Sequence, residues 1–122
     1  SDSAAQERVY GKLASNRYYC TYMRTAIAAA GRLFMIKPRP EMTDAECTPE
    51  SIIEECVIFG SPRTVLDRLV ALRDRVGPFG TLLQIGLDWS GPNEAWEREG
   101  MRLLAQEVMP KFRQHAMAQA AE

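Results

Sequence analysis

The chain has 122 residues, of which 46% are hydrophobic, and this is enough to build one core of ordinary size in one domain. Its 15 Lys and Arg residues and 16 Asp and Glu residues leave a formal net charge of -1, which argues against nucleic acid as a partner. No run of about 18 apolar residues occurs, and the first residues lack a signal-peptide pattern, so we expect a cytoplasmic protein that does not cross a membrane.

Residue types suited to metal binding or nucleophilic catalysis are few. Cys20, Cys47 and Cys56 include no Cys-X-X-Cys pair, so at least one thiol stays free or pairs with another chain, which suits a reducing compartment. The only histidine, His115, lies near the C-terminal end of the sequence. The sequence therefore predicts no metal site and no Ser-His-Asp triad, and it leaves the catalytic residues unassigned.

Helix-forming residues dominate the beginning of the chain and predict a helical segment over residues 1–36. Two helices are favoured over one, because Ser15 and Asn16 suit a helix boundary and Asn16 suits a cap. The three tyrosines between residues 18 and 22 are expected to pack against a helix or a second subunit rather than a ligand. Apolar residues recur on one side of this segment: Val9, Leu13, Tyr19, Met23, Ala26, Ile27 and Ala30.

A loop is predicted over residues 37–47, because Pro38 and Pro40 cannot continue a helix. The next helix is expected to begin after Thr48, which suits the N-cap position, with a proline in its first turn. Cys56 falls on the apolar side of this helix. A role as a small hydrophobic residue is favoured there, and a thiol-dependent enzyme built on Cys56 is the alternative.

Three further elements are predicted beyond residue 60. Ser61 caps a helix over residues 62–76, which ends at Gly77 because glycine readily adopts a left-handed conformation. Residues 81–85 are too short for a helix and apolar apart from one glutamine, which predicts a buried strand. A final helix is predicted over residues 94–109, with a kink or an end near Met109 caused by the proline that follows it.

A parallel sheet cannot consist of one strand, so the predicted strand needs partners. Residues 56–59 are the only other candidate strand in the sequence. We therefore expect further strands to come from polypeptide outside this chain.

The run from Val57 to Arg113 contains IFGSPRTVLDRLVALRDRVGPFGTLLQIGLDW and then MRLLAQEVMPKF. In these motifs the chain resembles the C-terminal end of luciferase-like flavin-dependent monooxygenases. The resemblance implies an α/β fold in which the chain is the helix-rich C-terminal portion of a (β/α)8 TIM barrel. A whole barrel takes about 250 residues. The chain is accordingly expected to form a single partial domain, residues 1–122, with the last βα elements of the barrel in residues 48–122.

The resemblance also implies candidate cofactor-binding residues. Relatives end their last strand in a Gly-His-Asp-Trp-like run, and this chain has Gly86, Leu87, Asp88 and Trp89 there. Side chains at the carboxyl ends of barrel strands face the active site, so Gly86, Asp88 and Trp89 are expected near flavin or substrate. The structural alternative, which is favoured, is that Asp88 caps the next turn and Trp89 closes the barrel mouth. Ser61 could hold the flavin phosphate at a helix N-terminus, although simple capping is favoured.

The function that the resemblance implies is insertion of one oxygen atom from O2 into a small organic substrate, with reduced FMN as cofactor. The alternative cofactor is the deazaflavin F420, which related barrels use and which transfers hydride instead. Its implied partners are a missing N-terminal barrel portion or a second subunit, and a flavin reductase. The second hypothesis is a non-enzymatic interaction module. In that case the aromatic side of residues 18–34 associates with another copy of the chain.

Overall fold

A computed structural model describes residues 1–11 and 14–119, and it is dominated by helices. Within those ranges no residue belongs to a β-strand. Short 3₁₀ turns lie at Leu33–Met35 and Gly91–Asn93, and a π-helical turn at Leu104–Val108 joins the last two helices. The helices are α1 (Asp2–Tyr10), α2 (Ser15–Ala29), α3 (Pro49–Cys56), α4 (Pro62–Val76), α5 (Glu94–Leu103) and α6 (Met109–Gln119).

The chain separates into two compact units. The first unit comprises Ser1–Gln6 and Phe59–Glu122, and the second comprises Glu7–Ile58. The sequence predicted one partial domain over residues 1–122, and that boundary stays a prediction. Within the described residues, no helix combines the length and the apolarity that a membrane span requires.

The prediction of two helices at the beginning of the chain is confirmed, since α1 ends at Tyr10 and α2 begins at Ser15. The predicted cap at Asn16 is wrong, because Asn16 lies within α2 and the N-cap position is Ala14, which has no side-chain hydrogen bond to the helix. Leu13, which the sequence placed on the apolar side, and residues 120–122 of the tail lie outside the described residues.

The second unit has its core in the loop between α2 and α3. Leu33, Met42 and Cys47 are buried together, and Ile36 and Ile52 pack against them. The guanidinium of Arg24 on α2 holds the backbone of this loop through two hydrogen bonds. Its Nε donates to the carbonyl of Cys47, and its Nη2 donates to the carbonyl of Asp44 at 3.0 Å. The predicted loop over residues 37–47 is therefore a loop whose backbone is held by a side chain from α2.

The start of α3 is defined by a reciprocal pair of hydrogen bonds. The backbone amide of Ser51 donates to Oγ1 of Thr48 at 3.1 Å, and the amide of Thr48 donates to Oγ of Ser51 at 3.0 Å. The amide of Ser51 would otherwise lack a partner in the first helical turn, whereas the amide of Thr48 also donates to the carbonyl of Glu46 at 2.8 Å. The predicted cap at Thr48 is confirmed, and Ser51 completes a capping box that the sequence did not reveal.

The first unit packs α4 against the π-helical turn and α6. Leu69, Val108 and Phe112 are the buried apolar residues of these three elements. The ring of Phe79, just after α4, stacks on that of Phe112 with centroids 6.0 Å apart and an angle of 24° between the planes. This arrangement fixes how the C-terminal end of α4 and the following loop sit on α6.

The predicted strand over residues 81–85 is wrong, and the α/β fold class and the barrel portion are wrong with it. These residues have no regular secondary structure, and the side chains of Leu83 and Ile85 are 80% and 71% exposed. A strand exists only when a neighbouring strand supplies its hydrogen bonds, and residues 57–59 do not pair with this segment. The apolar sequence of residues 81–85 indicates a tendency of this segment to be buried. It does not show that a neighbouring segment is present to bury it.

The last helix does not end at Met109. It continues as α6 to Gln119, and the backbone amide of Met109 donates to the carbonyl of Leu104, five residues earlier. Pro110 has no amide hydrogen, and its ring would crowd the carbonyl four residues back in a regular α-helix. The wider π-helical turn immediately before Pro110 gives the ring room, so the helix changes its winding there rather than stopping.

Candidate functional site

Ser61 occupies the N-cap of α4, as the sequence predicted. Its Oγ accepts a hydrogen bond from the backbone amide of Thr64 at 3.4 Å, and the two hydroxyl oxygens lie 3.0 Å apart. Pro62 fills the first helical position, where a missing amide hydrogen costs nothing. The capping role, which the sequence favoured over binding of a flavin phosphate, is the one that the geometry displays.

The carboxylate of Asp2, from the same chain, lies at the N-terminus of α4. The backbone amide of Ser61 donates to Oδ1 of Asp2 at 2.7 Å, and the hydroxyl of Ser61 donates to Oδ2 at 3.3 Å. The backbone hydrogen bond from Ser61, followed by a side-chain hydrogen bond from Thr64, lowers the pKa of Asp2 from its ordinary value of 3.8. The positive end of the helix favours a negative charge here, and Asp2 supplies that charge.

Replacement of the cap, Ser61→Ala, is expected to lower the free energy of unfolding by about 1 kcal/mol, because the amide of Thr64 loses its acceptor. Urea unfolding followed by circular dichroism measures this loss. Ser3→Ala is the matched control, since Ser3 is exposed and its hydroxyl, among the described residues, contacts that of Ser1 at 3.1 Å. An unchanged midpoint for Ser61→Ala would contradict the capping role.

The Asp2 contact is expected to make stability depend on acid pH. A carboxyl whose pKa is lower in the folded chain adds stability that is fully present above its unfolded pKa, near 3.8, and is lost as the pH falls through the folded pKa. Unfolding free energies of the wild type and of Asp2→Asn, measured from neutral to acid pH, isolate this effect. The difference between them should shrink in acid, and parallel curves would show that Asp2 makes no such contribution.

Asp88 closes the turn that precedes α5. Its Oδ1 accepts from the backbone amide and from the hydroxyl of Ser90, both at 3.0 Å, and its Oδ2 accepts from Nδ2 of Asn93 at 2.8 Å. An aspartate that accepts from the amide two residues later is a standard way to stabilise a turn. Both carboxylate oxygens of Asp88 therefore accept hydrogen bonds within residues 88–93. This agrees with the predicted alternative in which Asp88 caps the turn.

Gly86 and Trp89 lie in direct contact. A Cβ on residue 86 would lie 2.6 Å from Cε2 of the Trp89 indole, which is closer than carbon atoms pack, so the indole needs a glycine beneath it. Trp89 nevertheless stays about half exposed. The backbone amide of Leu87, between them, donates to Oε1 of Glu97 on α5 at 3.0 Å. This bond ties the turn to the helix that follows it.

The four residues singled out from the sequence do not form one site. Gly86, Asp88 and Trp89 belong to a single turn whose polar groups bond to one another, whereas the polar contacts of Ser61 are with Asp2 and Thr64. A flavin phosphate at the start of α4 would meet the carboxylate of Asp2. The residues of this chain therefore do not fit a flavin, either at Ser61 or at the turn.

Sequence reasoning missed two residues that shape this region, Asp2 and Glu97. Asp2 lies 59 residues before its partner Ser61, so no local signal could have paired them. Glu97 lies ten residues after Leu87, and its side chain accepts from the Leu87 amide across the turn between them. Asn93, at the N-cap position of α5, donates from its side-chain amide to Asp88 and makes no side-chain capping hydrogen bond to the helix.

Cys56 shows no sign of nucleophilic chemistry. Cys56 is exposed at the C-terminal end of α3, so the predicted role as a small hydrophobic residue packed on the apolar side is wrong. Partial desolvation, followed by the charge of Glu55, raises the pKa of its thiol, which disfavours the reactive thiolate. Within the part of the chain that the structure describes, no cluster of His, Cys, Asp and Glu side chains could hold a metal ion. The alternative of a thiol-dependent enzyme built on Cys56 therefore gains no support from the structure.

Comparison of the chain with protein-family models, with curated proteins and with solved structures finds no match. The resemblance to luciferase-like monooxygenases thus rests on the sequence motifs alone.

Proposed function

We propose that this chain is the C-terminal part of a luciferase-like flavin-dependent monooxygenase, and that it acts together with further polypeptide that covers residues 80–89. The motifs between Val57 and Arg113 support the family. The proposal that further polypeptide is needed rests on one observation. The apolar side chains of Leu83 and Ile85 are exposed in this chain.

Exposed apolar residues are ordinary when they are scattered, but here three of them lie within one short segment. Residues 81–89 read TLLQIGLDW, and Leu83, Ile85 and Trp89 are all exposed within nine positions. A concentration of exposed apolar side chains in one segment favours an interaction role for that segment. Covering one leucine or isoleucine side chain contributes about 1.5–3 kcal/mol, so a partner that covers both would gain a substantial part of its binding free energy from them.

The backbone of the same segment supports the proposal. In the described part of the chain, no backbone–backbone hydrogen bond involves residues 81–86. Backbone amides and carbonyls need partners wherever water is excluded. A polypeptide that covers the side chains of Leu83 and Ile85 therefore also has to satisfy these backbone groups.

The cofactor and the substrate are assigned to the rest of the enzyme. Because Ser61 and Asp88 are engaged within the chain, we expect FMN, or the deazaflavin F420, and the small organic substrate to be bound by the covering polypeptide, and the isolated chain to be inactive. A flavin reductase would supply the reduced cofactor. A cytoplasmic location suits Cys20, Cys47 and Cys56, none of which forms a disulfide.

The proposal is tested by co-expressing the chain with the polypeptide encoded directly before it and measuring co-purification and bound flavin by absorbance. The pair should co-purify with flavin, and the chain alone should bind none. Leu83→Asp should abolish co-purification, because it places a charge in the covered segment, whereas Met117→Asp, at an exposed position of α6, should not.

Two outcomes would overturn this proposal. One is a native product whose intact mass corresponds to these 122 residues and which binds no flavin. The other is a co-purifying pair that Leu83→Asp leaves intact, since the exposed segment would then have no part in the assembly.

The second candidate function is a non-enzymatic module that associates with another copy through α2. Tyr18, Tyr19 and Tyr22 are all exposed on that helix, and Phe34 and Met35 after it are exposed as well. Aromatic side chains dominate the energetics of interfaces, which favours an association role for this surface. Sedimentation of the isolated chain separates the two candidates: a dimer that Tyr22→Ser converts to a monomer supports the module, and a wild-type monomer excludes it.

A further inference from the structure

We draw no further inference here: the strongest candidate, the cluster of the Cys20, Cys47 and Cys56 thiols around α2 and α3, carries nothing because partial desolvation raises the pKa of Cys20 and Cys56 and so disfavours the reactive thiolate, and within the described residues the cluster forms neither a disulfide nor a group that could hold a metal ion.

Discussion

Leu69→Ala is expected to lower the free energy of unfolding by about 2–5 kcal/mol. Leu69 is only 2% exposed and lies in α4, the helix that packs on the π-helical turn and α6. Truncation removes buried methyl groups and leaves a cavity that the surrounding helices fill only in part. Urea unfolding followed by circular dichroism measures the loss.

Leu83→Ala is the matched control, because the same truncation is made at a side chain that is 80% exposed. It is expected to change the free energy of unfolding by less than about 0.5 kcal/mol. The pair also tests the fold directly. If Leu83→Ala were as destabilising as Leu69→Ala in the isolated chain, residues 81–85 would be buried after all and the correction of the predicted strand would fail.

Phe112→Ala is expected to have the largest effect, a loss of about 3–5 kcal/mol in the free energy of unfolding. Its ring is 5% exposed on α6 and stacks on Phe79, so truncation removes both the buried area and the aromatic pair. The loop after α4 should loosen at the same time. Hydrogen exchange of the amides around Phe79 reports that loosening, and thermal unfolding reports the loss of stability.

Phe34→Ala provides the control, since Phe34 is 70% exposed and the substitution removes the same atoms. It is expected to leave thermal unfolding almost unchanged in the monomer. A variant with Phe112→Ala that unfolds at the wild-type temperature would contradict the packing of α6 against α4. A loss in both variants would mean that phenylalanine truncation is costly irrespective of burial.

The sequence by itself determined where α3 and α4 begin and where α4 ends. Helix α4 spans Pro62–Val76, as predicted, because Ser61 caps its start and Gly77, at φ 86°, lies in the left-handed region at its end. The start of α3 after Thr48 is of the same kind. Caps and terminating glycines act on backbone groups within a few residues, so the local sequence contains all the information that they need.

The candidate site could be predicted only in part. The local sequence indicates the capping roles of Ser61 and Asp88, because each residue bonds to a neighbour two or three positions away. The contact of Asp2 with Ser61 joins residues 59 positions apart, and no periodicity or motif indicates it. That contact decides that the chain's own carboxylate, rather than a bound phosphate, lies at the start of α4.

Tertiary structure alone decided whether residues 81–85 form a β-strand. Their apolar pattern is typical of a buried strand, and the flanking helices begin where the sequence predicted, yet the described chain brings no neighbouring strand beside them. Helices satisfy their backbone groups internally, whereas a strand depends on a second segment that is distant in sequence or belongs to another molecule. For this protein, local hydrogen bonding made the helices predictable from the sequence, and the absence of a pairing partner within the described residues left the predicted strand as an exposed loop.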